Sequence, residues 1–156
     1  MAIQKLKSDA DFLKEVSLFD GIDDKALIQI FKLGKVVNYR PGQIIIQEGQ
    51  RGGNIHIVIS GRAEISKAGK ELNKKKYLGD IDRGSIFGEM SVFDKGPYSA
   101  TVKARQDCSI HVVKGEDFKN FLKKNPDLAY GVFSTLISLM SSRLRRANSA
   151  LSLTGI

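Results

Sequence analysis

The sequence predicts a mainly β protein: an antiparallel β-roll, similar to a jelly roll, with helices on both sides. Between Lys35 and Val113, the chain consists of short runs that are either apolar or alternate between apolar and polar residues. Glycines separate these runs as often as an antiparallel sheet with tight turns requires. Before and after this region, apolar residues recur at helical spacing instead. With 156 residues, 42% of them hydrophobic, and no internal repeat, the chain is expected to form one domain over residues 1–156. Its parts are helices over residues 1–34, the roll over 35–114 and helices over 115–156.

Two short helices are predicted before the roll. The first begins at Ser8, a capping residue followed by acidic residues in the first turn, and it ends before Phe19. The second begins near Asp23 and ends at Gly34, because glycine can adopt the left-handed conformation of a helix cap. The apolar residues of these helices are Phe12, Leu13 and Val16 in the first and Leu27, Ile28, Ile30 and Phe31 in the second.

Two helices are also predicted after the roll. A short one opens at Gly115 and is interrupted at Asn125 and Pro126, since proline favours the first position of a helix. The long helix that follows has apolar residues at steps of three or four, which keep one of its faces apolar. This stripe consists of Ala129, Phe133, Leu136, Met140, Leu144, Ala147 and Leu151. It needs a partner surface, which is either the roll or the same helix of a second subunit.

The most informative segment of the chain covers residues 87–102. It begins and ends with strand-like residues and is broken by an apparent short helix over residues 89–93. Gly88 allows the backbone to come close to a ligand. The amides at the start of the short helix have no intrahelical partner, and the helix dipole favours negative charge there. We therefore expect this segment to hold an anion, and a phosphate would fit it well.

This segment resembles the phosphate-binding cassette of the cyclic nucleotide-binding domain family. The family pattern is Phe-Gly-Glu, apolar residues, a short spacer and then Pro-Arg with small residues. Residues on family positions are Phe87, Gly88, Glu89, Met90, Val92, Phe93, Pro97, Ala100 and Val102. The family arginine, which grips the cyclic phosphate, is replaced here by Tyr98. The likeness continues in family order over residues 15–150, so it implies the β-roll as well as the site.

The resemblance implies roles for the residues of the cassette, the name used below for residues 87–102. Glu89 is expected to accept a hydrogen bond from the ribose 2′-hydroxyl of a cyclic nucleotide, either cAMP or cGMP. The amides of Gly88, Glu89 and Ala100 are expected to line the phosphate, and Ser99 to add a hydroxyl. The expected ligand-binding residues are Gly88, Glu89, Met90, Tyr98, Ser99, Ala100 and Asn148.

The resemblance also implies two roles for the long C-terminal helix. Bacterial members of the family pair through this helix, and a two-fold pair would bury the apolar stripe along its full length. A homodimer is therefore favoured over packing on the roll alone. The last turns of the helix are expected near the nucleotide base, where Asn148 or Ser149 could make a contact.

The tyrosine in place of the family arginine changes the expected affinity. A guanidinium offers two parallel donors and a permanent charge, whereas a phenol offers one neutral donor. Loss of a charge-assisted hydrogen bond worth about 1.5–3 kcal/mol weakens a cyclic monophosphate about ten- to a hundred-fold without excluding it. Lys95 is expected to compensate best, because strand alternation puts Lys103 and Arg105 on the solvent face.

Two functions are compatible with this sequence. In the first, the chain is a regulatory module that binds a cyclic nucleotide or a related phosphate ligand and transmits the signal through the long helix. In the second, Tyr98 plugs the old site, and the domain is a nucleotide-free scaffold for dimerisation or for a protein partner.

A net charge of +8 is compatible with a partner that carries phosphates, but the basic residues are gathered in only two places. The clusters are Lys67, Lys70, Lys74, Lys75 and Lys76 at a predicted hairpin tip, and Arg143, Arg145 and Arg146 late in the long helix. Both are interpreted as solvated surface, because lysine-rich tips also discourage edge pairing of strands. Too few residues follow the long helix for a helix-turn-helix, so no specific nucleic-acid partner is expected.

No enzymatic, metal-binding or membrane-spanning role is expected. No Ser-His-Asp or Cys-His set can be placed together, so the sequence offers no catalytic residues and no cofactor. His56 and His111 lack partners at metal-ligand spacing, and Cys108 is interpreted as a buried small hydrophobe. Without a signal segment or an apolar run of spanning length, neither export nor membrane insertion is indicated, and a cytoplasmic location is expected.

Overall fold

The computed structural model describes residues 9–69 and 74–153. Within these residues, strands form two four-stranded sheets in which every strand pair is antiparallel. The strands are β1 (Gly34–Tyr39), β2 (Ile44–Ile46), β3 (Asn54–Ser60), β4 (Ala63–Ala68), β5 (Lys75–Ile81), β6 (Ile86–Phe87), β7 (Thr101–Ala104) and β8 (Cys108–Lys114). The strand order is β1-β8-β3-β6 in one sheet and β2-β7-β4-β5 in the other. The predicted β-roll is confirmed.

The first predicted helix is only partly α-helical. Residues 9 and 10 are α-helical, and two short 3-10 helices, Asp11–Glu15 and Ser17–Phe19, follow them, separated by Val16, which is extended and buried. This break lets the apolar residues on both sides of it enter the same core. The predicted start at Ser8 lies outside the described residues.

The second predicted helix is confirmed at its start but not at its end. This helix, α1 (Asp24–Lys32), is capped by Asp23, whose Oδ1 accepts a hydrogen bond from the amide of Ala26 at 2.9 Å. The prediction that Gly34 forms a left-handed cap is wrong, since Gly34 is the first residue of β1. A Cβ atom there would lie 2.5 Å from the carbonyl oxygen of Val112, so the glycine permits close approach of β1 to β8.

Three further helices complete the described fold. Helix α2 (Glu89–Asp94) interrupts the roll between β6 and β7, and α3 (Gly115–Lys124) and α4 (Pro126–Leu153) follow β8. The predicted interruption between the last two helices is confirmed, because Asn125 leaves the helical conformation and Pro126 opens α4. With 28 residues, α4 is about 42 Å long at a rise of about 1.5 Å per residue.

Two clusters of buried apolar side chains form the core. Alternate residues of β3 enter different clusters: Ile55 and Ile57 contact the helical cluster, while Val58 contacts the roll interior. The helical cluster lies under the 3-10 helices, α1, α3 and the first half of α4. The roll interior contains Cys108, which is 2% exposed, so its interpretation as a buried hydrophobe is confirmed.

The apolar stripe of α4 does not rest on a single surface. Ala129 and Met140 pack against the helical cluster, whereas Phe133 and Leu144 are exposed. Every residue from 142 to 153 is exposed, and the buried residues of α4, Val132 and Leu136, lie in its first half. The body of the protein therefore covers only part of the predicted stripe.

Candidate functional site

The backbone of the cassette follows the predicted break between two strands. Phe87 ends β6, Gly88 has a φ of +80°, and α2 begins at the next residue. A Cβ atom on Gly88 would lie 2.8 Å from the carbonyl oxygen of Asn54 and 2.9 Å from Nδ1 of His56. Both the left-handed conformation and the crowding require glycine at this position.

A serine on α2 ties the cassette to the loop before β3. The Oγ atom of Ser91 donates a hydrogen bond to the carbonyl oxygen of Gly88 at 2.7 Å and accepts one from the amide of Gly53 at 2.9 Å. Ser91 is 5% exposed. Sequence reasoning did not assign it a role, and no local pattern signals a bond across 38 positions. The serine fixes α2 relative to β3.

Glu89 is buried and is paired with an arginine of the long helix. The carboxylate is 2% exposed, and Oε1 accepts a hydrogen bond from Nη1 of Arg143. The Nη2 atom of Arg143 also donates to the carbonyl oxygen of Ile86 at 3.3 Å. Since a buried carboxylate requires a partner, this pair holds α4 against the cassette.

The interpretation of Arg143 as solvated surface is wrong. Its guanidinium reaches Glu89 even though the side chain is 43% exposed. The spacing contained a signal for this, because Arg143 follows Leu136 by seven residues and Met140 by three, and both of these pack on the helical cluster. Arg143 therefore lies on the face of α4 that the protein body covers.

The ring of Tyr98 lies in the roll interior. The residue is 9% exposed, and its ring centroid lies 6.1 Å from that of His56 in an edge-to-face arrangement. Its Cε1 atom would be 3.2 Å from a Cβ atom on Gly88, so the ring occupies space directly beside the cassette glycine. Burial raises the pKa of the phenol, with the amide of Asn54 acting in the opposite direction. The hydroxyl is therefore neutral at physiological pH.

His56 contributes no positive charge to the cassette. It is 4% exposed and stacks on Phe87, with ring centroids 4.9 Å apart and an interplanar angle of 13°. Burial lowers its pKa from 6.5 to about 4, although backbone hydrogen bonds at Phe87 and Asn54 act against this shift. Its Nδ1 atom has no hydrogen-bond partner among the described residues. At neutral pH the imidazole does not replace the missing guanidinium.

The remaining predicted site residues are less closely gathered. Met90 and Ser99 are exposed, while Ala100 is 6% exposed. Asn148 is exposed on α4. Five residues separate it from Arg143, so at about 100° per residue it is turned about 140° away from the face that meets the cassette. The structure thus brings Gly88, Glu89 and Tyr98 together.

Lys103 and Arg105 face solvent as the sequence predicts, but Lys95 does not take the predicted place beside Tyr98. Nζ of Lys103 lies 2.8 Å from Oε1 of Glu64, and Nη1 of Arg105 lies 2.9 Å from Oδ1 of Asp80. This confirms that both cations lie opposite the buried side of β7. Lys95 is exposed and lines a separate cavity described below, so it does not lie beside Tyr98 in the roll interior.

The described residues contain neither a metal-ligand cluster nor a helix of membrane-spanning character. Over residues 9–69 and 74–153, no group of three or more His, Cys, Asp or Glu side chains could hold a metal ion. No helix in the same part of the chain is both long and apolar enough to cross a bilayer. At the predicted basic tip, Lys67, Lys74, Lys75 and Lys76 are exposed, and Lys70 lies outside the described residues.

The fold is thus an antiparallel roll interrupted by a short helix at a left-handed glycine, with a buried glutamate that an arginine of the long helix contacts. The chain belongs to the cyclic nucleotide-binding domain family. The family model matches residues 36–125, which is more than half of the chain.

The proteins to which the chain is similar include regulators. The chain is 23% identical over 141 residues to a CRP-like cAMP-activated global transcriptional regulator of Mycobacterium tuberculosis, covering 90% of this chain and 61% of the regulator. It is 30% identical over 127 residues to a cAMP-dependent protein kinase regulatory subunit of Aspergillus fumigatus, covering 81% of this chain and 30% of the subunit. The structure of the catabolite activator protein of Thermus thermophilus has a TM-score of 0.77 and 26% identity, covering 89% of this chain and 63% of that one. The chain therefore spans less than two thirds of each of these proteins.

Proposed function

We propose that the chain is a regulatory module that binds a cyclic nucleotide, cAMP or cGMP, and transmits the signal through α4. The observation that carries this proposal is the ion pair between Glu89 and Arg143. Glu89 is the residue expected to bind the ribose, and Arg143 belongs to the helix expected to respond. One interaction thus joins the input site to the output element.

The ligand is proposed to enter beside Gly88. Its phosphate would take the amides at the start of α2 and the hydroxyl of Ser99. Its ribose 2′-hydroxyl would compete with Arg143 for the carboxylate of Glu89. We propose two positions of α4, one with the Glu89–Arg143 ion pair intact and one with it broken. Because the ligand would bind the second position more tightly, binding shifts the equilibrium toward it by an amount set by the difference in affinity. Met90 and Ala100 complete the proposed ligand-binding set with α4 in the position described above. Asn148 is turned away from the cassette there, so we propose that it joins the set when binding moves α4.

Tyr98 sets the expected affinity of this site. Its buried ring must shift before a phosphate can reach Gly88. Its neutral hydroxyl then donates one hydrogen bond where a guanidinium donates two. Binding should be about ten- to a hundred-fold weaker than in the same site with arginine.

Titration calorimetry of the full chain with cAMP and cGMP tests the proposal. Tyr98→Arg is expected to strengthen binding about ten- to a hundred-fold, because it restores the charged donor pair. Tyr77→Arg is a matched control, since Tyr77 is an exposed tyrosine on β5 and its replacement adds the same charge elsewhere. Absence of heat with both nucleotides at millimolar concentration, for the wild type and Tyr98→Arg alike, would remove the proposal.

A nucleotide-free scaffold is the second candidate function, and the burial of Tyr98 favours it. The ring packs with the roll interior as a structural residue would. In that case Tyr98→Arg introduces an unpaired charge into the core, so the fold loses stability and no nucleotide binding is gained. Tyr98→Phe, which keeps the ring, should leave the free energy of unfolding nearly unchanged in the same experiment.

We also propose that α4 forms a homodimer. Tyr130, Phe133, Ile137, Leu144 and Leu151 are exposed and separated by three, four and seven residues, which are the spacings of heptad a and d positions. Two such helices can bury this apolar seam against each other. Sedimentation equilibrium should show a dimer that Ile137→Lys converts to a monomer. A wild-type monomer at every concentration would contradict the homodimer.

We further propose that the module acts without catalysis, as one domain over residues 1–156. We also propose that it acts in the cytoplasm and makes no specific contact with nucleic acid. The similar proteins described above include a transcriptional regulator and a kinase regulatory subunit, which supports a role without catalysis. A protein partner that responds to the position of α4 would complete the signal.

A further inference from the structure

A cavity of about 320 Å³ lies between the loop before β3, the end of α2 and the start of α3. It is separate from the predicted nucleotide site, because Gly88, Glu89, Tyr98, Ser99 and Ala100 do not line it. The cavity is referred to below as the basic cavity. Its lining includes the charged residues Arg51, Lys95, Glu116 and Lys119.

The charged residues of the basic cavity are unbalanced. Among the described residues that line the cavity, three are cations and one, Glu116, is an anion, which gives a formal sum of +2. Nζ of Lys119 lies 3.3 Å from Oε2 of this glutamate. Arg51 and Lys95 form no ion pair within residues 9–69 and 74–153. Like charges brought together from three separate parts of the chain repel one another unless an anion lies between them.

The walls of the basic cavity are held in place by close backbone contacts. A Cβ atom on Gly52 would lie 2.1 Å from Cβ of Ser91, and one on Gly115 would lie 2.6 Å from a methyl group of Val92. The amide of Gly115 donates a hydrogen bond to the carbonyl oxygen of Gly53 at 2.8 Å. These contacts join the three segments that carry the cations, so the cavity is formed before any ligand arrives.

We propose that the basic cavity binds a small molecule that carries a phosphate group. Arg51 provides a planar fork that matches phosphate oxygens, and Lys95 and Lys119 add positive charge from the other walls. The volume is near the lower limit of about 300 Å³ for small-molecule sites. The ligand is therefore inorganic phosphate or a compact phosphomonoester. This site goes beyond the proposed nucleotide function and does not depend on it.

Nuclear magnetic resonance of the full chain tests this site with inorganic phosphate as the probe at constant ionic strength. The amides of Gly52, Gly53, Gly96 and Gly115 are expected to shift together and to saturate, because all four glycines line the cavity. The double variant Arg51→Gln/Lys95→Gln should weaken binding at least about ten-fold, since each cation provides a charge-assisted contact. Lys32→Gln, which removes an exposed charge from α1, should leave binding unchanged.

A parallel titration with glycerol 3-phosphate distinguishes the two sources of the phosphate group. Tighter binding than that of inorganic phosphate identifies a phosphomonoester site, and weaker binding identifies a site for the free ion. Shifts that fail to saturate, or that Lys32→Gln reduces as much as the double variant does, would overturn the proposal. A cAMP titration that moves the amide of Gly88 but not that of Gly115 would show that the two sites are independent.

Discussion

The predicted nucleotide site around Gly88 and the basic cavity both contain residues of the cassette, since Lys95 and Gly96 line the cavity, but they use their charged and polar groups differently. On the nucleotide-site side of the cassette, Glu89 is paired with Arg143, Tyr98 is packed in the roll interior, and the neighbouring His56 has a pKa of about 4. In the basic cavity, the cations lie at the surface and two of them have no ion-pair partner among the described residues. The cassette groups therefore stabilise the closed fold, whereas the cavity groups are available to a ligand.

Because of this difference, substitutions in the two regions should affect the stability of the fold and the affinity for a ligand in different ways. A ligand of the cassette must replace contacts that already exist, so substitutions there should change the free energy of unfolding as well as the affinity. A ligand of the basic cavity adds contacts without breaking any, so substitutions there should change affinity and leave the fold intact.

Gly88→Ala should destabilise the protein by about 3 kcal/mol. A left-handed conformation costs an alanine about 1–2 kcal/mol, and displacement of crowded neighbours adds about 1–3 kcal/mol. The neighbours are the carbonyl of Asn54 at 2.8 Å and the imidazole of His56 at 2.9 Å. Urea unfolding monitored by circular dichroism measures the change.

Two glycine controls separate the causes of this loss. Gly21 has a similar φ of +77° with open space around it, so Gly21→Ala should cost only the conformational part, about 1–2 kcal/mol. In the basic cavity, Gly96→Ala would meet only the flexible side chain of Asp94, at 3.1 Å, and should cost less than about 0.5 kcal/mol. Equal losses for Gly88→Ala and Gly96→Ala would contradict the contrast between the two regions.

His56 should make stability fall as the pH is lowered. Its pKa is 6.5 when unfolded and about 4 when folded, so the unfolded chain takes up the proton first. Stability is therefore complete above the unfolded value and declines from pH 6.5 toward 4, by about 2 kcal/mol between about pH 7 and 5. Urea unfolding at a series of pH values measures this fall.

The variant His56→Gln should flatten the pH profile. Part of the slope should remain, because burial also lowers the pKa of His111. If the profile of His56→Gln matched that of the wild type, the histidine would be charged or exposed in the folded protein. The burial of His56 beside Gly88 would then not hold its pKa below the unfolded value.

The fold and the cassette break could be predicted because their signals are local. The spacing of the glycines predicted strands separated by turns. The sequence around Gly88 predicted an interrupted strand, which the structure confirms. Gly34 was assigned incorrectly because a glycine before a strand can serve either a turn or a close approach. Only the position of Val112 on the neighbouring strand distinguishes the two.

The partners within the site could not be predicted because they are distant in sequence. Arg143 and Glu89 are 54 positions apart, and Ser91 and Gly53 are 38 apart. Whether Arg143 meets solvent or a carboxylate depends on how α4 crosses the roll, which periodicity alone does not determine. The basic cavity combines residues from three segments for the same reason and has no motif of its own.

Arg143→Met should destabilise the protein by about 1–2 kcal/mol, because it leaves the buried carboxylate of Glu89 without its partner. The partial exposure of Arg143 keeps this below the loss of about 3–5 kcal/mol expected for a fully buried pair. The double variant Glu89→Gln/Arg143→Met should be more stable than Arg143→Met alone, since it also removes the buried charge. Urea unfolding of the four proteins in this cycle gives the coupling energy.

Replacing a cation of the basic cavity by methionine should not destabilise the protein. Lys95→Met removes one of three neighbouring cations that have a single acidic residue among them, so it should leave stability unchanged or raise it slightly. Arg145→Met, on the exposed end of α4, should change stability by less than about 0.5 kcal/mol. If Lys95→Met destabilised the protein as much as Arg143→Met, the cavity cations would be part of the fold. The cassette would then not differ from the cavity in how its charges are held.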